Sequence, residues 1–408
     1  MTEGPKLRYV EAFPVDTEEG KMVALRDPMG IADEVILVSR AALFILQFCD
    51  GQHSKKEILQ KSRKLLHMPI EEEVLDKLLA YIDTNYLLDN DRFRTRLRKI
   101  ETDLLKAKHR PAAHAGVSYP ANKTALTEKM HSYFIDESGA GTPGPVNGLP
   151  TPKGIIAPHI DLRIGGTTYT HAYKRIAESP PADVYVVLGT GHAGLRNMYS
   201  VLPVDFDTPL GTIATDTNFI KALQNNYKND LFADIFLHKT EHTIEFQTIF
   251  LKKVFGDRPF KIVPILCSFN YHALVYEQFS NEKAIVEDFS RALRKTIREY
   301  PGKVTVIASV DLAHVGPRYG DAPAPNGIFL QEVKKQDYEA LKYAMQMDAA
   351  GWLKAIARVD DRYRICGFSP VYTLLASIDA QHGELLRYDQ GLMDDKKSVV
   401  SYCSAVIY

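Results

Sequence analysis

KGIIAPHID, residues 153–161, is the stretch that decides the predicted fold, because it contains a short apolar run without polar alternation. Such a run, here 155–157, is typical of a strand that is buried on both faces of a sheet. Pro158 ends the strand, since proline has no amide hydrogen to donate inside a sheet, and His159 follows at once. The sequence therefore predicts a buried strand with a histidine just beyond its carboxyl end.

Two later apolar runs end in the same way. Residues 184–188 are followed by His192, and residues 304–308 are followed by Asp311 and His314. In an open α/β sheet the carboxyl ends of the strands lie along one edge, and ligands bind in the crevice outside it. We therefore expect these side chains to meet the first histidine at that edge, where imidazoles can bind a metal or move protons.

Composition narrows the class of protein. The chain has 408 residues, of which 45% are apolar and 25% charged, and its formal net charge is -1. These values are ordinary for a globular protein of two or three domains and give no reason to expect nucleic-acid or membrane binding. No apolar run approaches the roughly 20 residues of a membrane span, and no signal-peptide core precedes residue 10. The scattered cysteines favour a reducing, cytoplasmic location.

The first 95 residues are predicted to form a separate small domain. We expect strands at 7–10 and 23–25 and a first helix at 41–49. A second helix should begin after the capping box of Ser54 and Glu57, and a third should span 71–86. A final strand and turn should follow at 87–91. Three helices and a hairpin resemble a winged helix. The stretch RAALFILQFCDGQHSKKEIL is similar to the PqqD-like peptide-binding domains, which favours docking or peptide binding over DNA binding.

The rest of the chain is predicted to be a linker and a larger α/β domain. Residues 96–113, rich in Arg and Lys, are interpreted as a solvated linker helix, and 137–154 as a surface loop. Strand-like and helix-like segments alternate from residue 154 on, which predicts that the domain over 114–408 has a central mixed or parallel sheet with helices on both faces. Pro264 within the strand 261–267 indicates an edge strand or a bulge.

Each candidate for chemistry also has a purely structural explanation. A histidine at a strand end can bond to loop backbone, Asp311 can cap a helix, and Cys366 can be a small buried group. His242 and Glu245 open a predicted helix and would share one face, with His242 available as a general base. Two imidazoles and a thiolate would suit Zn, Fe or Cu better than Mg or Ca. The remaining cysteines are read as packing residues, namely Cys49, Cys267 and Cys403.

Six motifs, in this order, resemble those of the Memo-like proteins, whose bacterial members are called AmmeMemoRadiSam system protein B. They are HAGVSYP (114–120), IIAPHIDLRIGG (155–166), VLGTGHAG (187–194), EHTIEFQ (241–247), SVDLAH (309–314) and RICGFSPVYTLL (364–375). The resemblance covers roughly residues 110–408. It implies a fold similar to that of the class III, LigB-type extradiol dioxygenases, which use non-haem Fe(II).

The resemblance also implies a site. By motif, the metal ligands fall on His159, His192 and Cys366, and the residues with catalytic roles in the same pocket are His242, Asp311 and His314. Fe(II) is the implied metal, with Cu or Zn as alternatives. Cysteine here replaces a carboxylate ligand of the dioxygenases, which speaks against ring cleavage because a thiolate changes the charge and potential of the iron. Ala313 stands where some relatives have a cysteine.

Three hypotheses for the function follow. The first is a metal-dependent oxidoreductase of unknown substrate, and the second is a non-catalytic protein that binds a peptide or partner on a dioxygenase-like fold. The third is a zinc-dependent hydrolase. The expected ligand of the pocket is a small molecule or a peptide, and the resemblance implies radical-SAM and AMMECR-type proteins as partners.

Overall fold

The computed structural model of the protein describes residues 4–18, 20–32 and 34–408. Contacts divide the chain into two compact units, Met1–Lys106 and Ala107–Tyr408. The linker predicted over residues 96–113 is occupied in large part by a helix, Asp91–Ala107, which ends at this division. Among the described residues, no helix is both long and apolar enough to cross a membrane.

In the N-terminal unit an antiparallel sheet precedes the helices. Its strands are β1 (Glu11–Thr17), β2 (Gly20–Arg26) and β3 (Ile36–Val38), paired in that order. The helices that follow are α1 (Arg40–Leu46), α2 (Lys55–Leu66), α3 (Glu72–Thr84) and α4 (Asp91–Ala107). The predicted capping box is confirmed: the Ser54 hydroxyl accepts from the Glu57 amide, and the Glu57 carboxylate accepts from the Ser54 amide.

Two short strands predicted in this unit are wrong. Residues 7–10 and 87–88 contribute only an isolated bridge between Leu7 and Leu88. The hairpin expected after α3 does not form because the Asn90 side chain accepts from the Phe93 amide at 3.1 Å, which starts α4 at once. The sheet is instead built from residues before the helices, where only the strand over residues 23–25 was predicted.

The C-terminal unit is built around a mixed sheet. The strands of the unit are β4 (His109–Arg110), β5 (Gly154–Ala157), β6 (Val184–Thr190), β7 (Tyr199–Val201), β8 (Asp205–Phe206), β9 (Ala214–Thr215), β10 (Lys261–Cys267), β11 (Val304–Ser309), β12 (His314–Val315), β13 (Gly383–Leu392) and β14 (Val399–Ile407). Strands β4 and β8 pair with each other in a separate two-stranded sheet. Within Ala107–Tyr408, all of it described, the main sheet runs β12-β14-β5-β11-β6-β10-β7, with β13 beside β14 and β9 beside β10. Strands β5, β11, β6 and β10 are parallel neighbours.

Helices cover both faces of this sheet, as the sequence predicts. They are α5 (Lys123–Ile135), α6 (Leu162–Ala177), α7 (Thr217–Asn226), α8 (His242–Phe255), α9 (His272–Val275), α10 (Ser280–Glu299), α11 (Gly327–Met345), α12 (Ala349–Ala357) and α13 (Phe368–Ser377). Because successive side chains of a strand point in opposite directions, the side chains of β6 alternate between the two faces of the sheet. Val184, Val186 and Leu188 belong to the core formed with α7, α10 and α13, whereas Tyr185 and Gly189 meet α8.

The interpretation of β10 as an edge strand is wrong. It lies inside the sheet, paired with β6 on one side and with β9 and β7 on the other. Strand β9 pairs with residues 261–262 and β7 with residues 265–267, so Pro264 falls between these two pairings. The missing amide hydrogen of proline therefore interrupts neither of them.

Candidate metal centre

The parallel strands β5 and β11 deliver His159 to the carboxyl edge of the sheet. Strand β5 ends at Ala157, and Pro158 turns the chain so that the His159 ring is only 2% exposed. Its Nδ1 lies 2.9 Å from the carbonyl oxygen of Ser309, the last residue of the adjacent strand β11. A carbonyl can only accept, so Nδ1 carries the proton and Nε2 offers its lone pair.

Cys366 reaches this ring from the loop between α12 and α13. Its Sγ lies 3.2 Å from Nε2 of His159 and 3.6 Å from the carbonyl oxygen of Asp311. The next residue, Gly367, donates its amide to the same Asp311 oxygen at 3.0 Å. A Cβ on Gly367 would lie 2.6 Å from that oxygen and 2.5 Å from Cβ of Val310, so only glycine allows this approach.

His192 follows β6 and lies on the more open side of the cluster, with 41% of its side chain exposed. Its ring centroid is 5.2 Å from that of His159 and 5.1 Å from that of His242, and the His192 and His242 rings are stacked. One potential ligand atom each of His159, His192 and Cys366 lies within 4.8 Å of the other two. The structure thus brings together the three residues predicted as ligands; that they bind a metal stays a prediction.

Burial and neighbouring charges set the protonation of this cluster. Burial, together with His192 and His242, holds the pKa of His159 well below its usual value, so its imidazole is neutral. Burial, with Asp311 nearby, raises the pKa of the Cys366 thiol well above its usual range. Burial also acts to lower the pKa of His192, but Glu241 outweighs it and raises that pKa. Neutral His159 is a ready ligand, whereas a cation would have to displace the thiol proton.

Asp311 supports the cluster through its backbone contacts. One carboxylate oxygen accepts from the amides of His159 and Ile160, both at 3.1 Å, and the other lies 3.6 Å from Nε2 of His159. Burial raises the pKa of Asp311 to about 7. The side chain therefore holds the turn after β5, and its orienting role at a metal site stays a prediction.

His314, grouped with these residues in the sequence analysis, is not part of the cluster of ligand atoms. Its Nδ1 donates to the carbonyl oxygen of Leu312 at 3.0 Å, and its ring contacts Tyr319 edge-on at 5.0 Å. Burial lowers the pKa of His314 to about 4, so the ring is neutral at ordinary pH. It lies at the start of β12, three residues after Asp311, and its ring has different neighbours.

His242 and Glu245, which the sequence places on one face of α8, have different main partners. The Glu245 carboxylate is buried and binds Arg110, the Tyr119 hydroxyl and two backbone amides, whereas His242 faces His192. Glu245 thus has a structural role.

Sequence reasoning missed Glu241 as a member of the site. The sequence pattern gives Glu241 no role in the site, yet its carboxylate contacts Nδ1 of both His192 and His242. Its neighbour His242 is visible in the sequence, but His192 is 49 residues away and its ring meets Glu241 only in the folded sheet. No local spacing signals this contact.

The C-terminal unit matches a known protein family over most of its length. A family model described as Memo-like protein matches residues 110–406. The chain belongs to the Memo-like family. The Memo-like match therefore covers the whole cluster, and the N-terminal unit lies outside it.

Several curated relatives carry the name MEMO1 family protein. One from Aquifex aeolicus is 30% identical over 407 residues, covering 99% of this chain and all of the relative. One from Methanopyrus kandleri is 27% identical over 304 residues, which is 73% of this chain and 98% of the relative. One from Thermotoga maritima is 29% identical and matches 74% of this chain. The likeness to the Aquifex protein thus extends through the N-terminal unit as well.

Proposed function

We propose that the protein is a metal-binding Memo-like protein and a non-haem iron or copper dependent oxidoreductase. The observation that carries this proposal is the approach of one sulfur and two imidazoles, with ligand atoms within 4.8 Å of one another, at the carboxyl edge of the sheet. This donor set suits borderline and soft metals. Since three protein ligands leave coordination positions open, a bound Fe or Cu ion would supply redox and Lewis-acid chemistry there.

The surrounding residues would then hold and move protons. His242 is 31% exposed, and its ring lies 5.5 Å from that of His159, so it connects the cluster with solvent. We assign proton transfer to His242 rather than His314 because His242 contacts the rings of both proposed histidine ligands. Asp311 orients the loop that carries His159.

Zinc is the metal of the alternative function. Two imidazoles and one thiolate also form a suitable zinc site, with a position left open, and His242 is within reach as a base. The hydrolase alternative therefore depends on the same three ligands and differs from the oxidoreductase only in the metal. The second hypothesis, a protein that binds a peptide or partner in this pocket without catalysis, differs in having no reaction at all.

Anaerobic metal titration tests the proposal. We expect one Fe(II) or Cu(I) ion per chain in competition with a chelator, and a more than 100-fold loss of affinity in Cys366→Ala and in His192→Ala. The reason is that even loss of a hydrogen-bond partner of a ligand costs about 10–100-fold. Cys49→Ala is the matched control, since Cys49 is a buried thiol of the N-terminal unit. Equal affinity in all four proteins would refute the metal site.

Two further measurements separate the hypotheses. Elemental analysis of protein purified anaerobically from its own host identifies the metal, and zinc there would favour the hydrolase. Consumption of dioxygen by the iron or copper form with a reductant would support the oxidoreductase. A tightly bound metal with no turnover of any substrate class would favour the non-catalytic binding protein.

A further inference from the structure

Glu241 is a buried carboxylate that contacts two histidine rings. Its side chain is 9% exposed and lies at the N-cap of α8, where it accepts from the amides of His242 at 2.9 Å and Thr243 at 3.3 Å. It also accepts from the His192 amide at 3.0 Å. Nδ1 of His192 lies 3.2 Å from both of its oxygens, and Nδ1 of His242 lies 3.0 Å from one.

This arrangement has two chemical explanations. Ligand atoms of His192, Glu241 and His242 all lie within 4.8 Å of one another, so the three could hold a metal ion of their own. Such an ion would have to replace the Nδ1 protons that the carboxylate accepts, and it would compete with the three backbone amides for both oxygens. The hydrogen bonds already made by Glu241 therefore favour a role as an acceptor over a role as a ligand.

An acceptor at Nδ1 decides which nitrogen a histidine presents to its other neighbours. Because an ionised carboxylate only accepts, His192, which is hydrogen-bonded to it through Nδ1, must carry a proton on that nitrogen. Nδ1 of His242 lies 3.0 Å from the same carboxylate, which favours the same tautomer there. His159 reaches the same tautomer by donating to the Ser309 carbonyl oxygen. In their neutral forms, all three rings of the cluster then direct the Nε2 lone pair away from these acceptors.

We propose that Glu241 is a positioning residue that holds His192 and His242 together in the Nδ1–H tautomer, so that both rings present Nε2. For His192 this orients the nitrogen that would bind the metal, which rests on the proposed function. For His242 it fixes the nitrogen that takes up or releases protons, which does not require the metal. A single carboxylate thus links the proposed ligand to the proposed proton carrier.

Two variants separate positioning from helix capping. In Glu241→Gln the amide nitrogen faces one ring and cannot accept, so at least one of His192 and His242 loses its acceptor. In Glu241→Ser the hydroxyl still caps α8, but it is too short to reach the rings. Glu71→Gln is the control, because Glu71 is also an N-cap glutamate, of α3, but makes no cap hydrogen bond through its side chain. Circular dichroism and thermal unfolding check that each variant is folded.

Histidine tautomers in the metal-free protein give the first readout. We expect long-range proton–nitrogen spectra of ¹⁵N-histidine-labelled protein to show Nδ1–H for His192 and His242, assigned by the signals lost in His192→Gln and His242→Gln. At least one of the two should change to Nε2–H or a mixture in both Glu241 variants but not in Glu71→Gln. Unchanged tautomers in a folded Glu241 variant would overturn the inference.

Metal affinity gives the second readout. Fe(II) affinity is expected to fall about 10–100-fold in the folded Glu241 variants, as for other partners of ligating histidines. An affinity within threefold of wild type would overturn the positioning of His192. If the wild-type protein binds neither Fe(II) nor Cu(I), the proposed function fails, and the tautomers alone decide whether Glu241 positions the two rings.

Discussion

The buried pair of Arg110 and Glu245 predicts a large effect of a single substitution on stability. Both side chains are fully buried and bonded to each other, and Arg110 also donates to the carbonyl oxygens of His238 at 2.6 Å and Glu241 at 2.9 Å. The pair thus joins the end of β4 to the start of α8, the helix that carries His242. We expect Glu245→Gln to destabilise the C-terminal unit strongly.

The size of the effect follows from what the carboxylate accepts. One oxygen of Glu245 accepts from Arg110 and from the Ala113 amide at 3.0 Å, and the other accepts from the Tyr119 hydroxyl and the His114 amide at 2.8 Å. The glutamine amide group, placed on either side, faces a backbone amide that it cannot satisfy. It also leaves the guanidinium without its counter-charge, and breaking a buried ion pair in this way costs about 3–5 kcal/mol.

A double-mutant cycle isolates the pair. Arg110→Met removes the other charge, and the double variant should lose less stability than the sum of the two single losses, since it contains no unpaired buried charge. Urea unfolding can be followed by tryptophan fluorescence, because Trp352 is the only tryptophan of the chain and is fully buried in the C-terminal unit. A loss under about 1 kcal/mol for Glu245→Gln, as for surface pairs, would refute the reasoning.

The same variant predicts a dependence on pH. Burial acts to raise the pKa of Glu245, but Arg110 and the hydrogen bonds outweigh it and hold the pKa below its usual value of 4.5. A pKa that is lower in the folded state contributes stability that is present above pH 4.5 and is lost as the pH falls. The difference between wild type and Glu245→Gln should therefore shrink below pH 4.5. A constant difference across that range would contradict this assignment.

Three further predictions concern stability. Asp337 is buried, with one oxygen that finds no partner among the described residues, and burial raises its pKa to about 7. The contribution of Asp337 to stability should therefore fall as the pH rises from 3.8 to 7, by at most about 1.4 kcal/mol per pH unit. In urea titrations Asp337→Asn should gain stability relative to wild type over that range, and a difference independent of pH would contradict this. Gly189→Ala would place a Cβ 2.5 Å from Oγ1 of Thr243 and should lower the free energy of unfolding by about 1–3 kcal/mol. Gly327→Ala, with open space around the added Cβ, should not lower it. Equal unfolding midpoints of the two variants would refute the clash. His67 ends α2 with φ of 52°, a left-handed conformation that is unfavourable for a residue with a Cβ and that glycine adopts freely. His67→Gly should therefore raise hydrogen-exchange protection of α2 about fivefold, and unchanged protection would argue against backbone strain there.

The sequence determined the sheet and the position of the candidate site on it. Residues 155–157, 184–188 and 304–308 are apolar without alternation, and each forms a strand buried on both faces. Their histidines follow the carboxyl ends, which must meet at one edge when neighbouring strands are parallel. Local chemistry also predicted the capping box of α2, since that motif depends only on residues three apart.

Weak or broken periodicity hid other elements from the sequence. Helix α5 mixes polar and apolar residues without a clear stripe, and strand β13 has glycine at its start and partly exposed side chains along most of its length. Pro264 wrongly predicted an edge strand, because a proline affects pairing only on the side of the strand that its own nitrogen faces. Which strands lie on that side, here β9 and β7, depends on the tertiary structure.

Only the tertiary structure decided which side chains of the site touch. Cys366 meets His159 across 207 residues of chain, and Glu241 meets the ring of His192 across 49. Both contacts depend on how the loops beyond the sheet fold back over it. A sequence fixes which residues lie at the end of a strand, because the strand is local, but the distance between atoms on different loops depends on the packing of the whole domain.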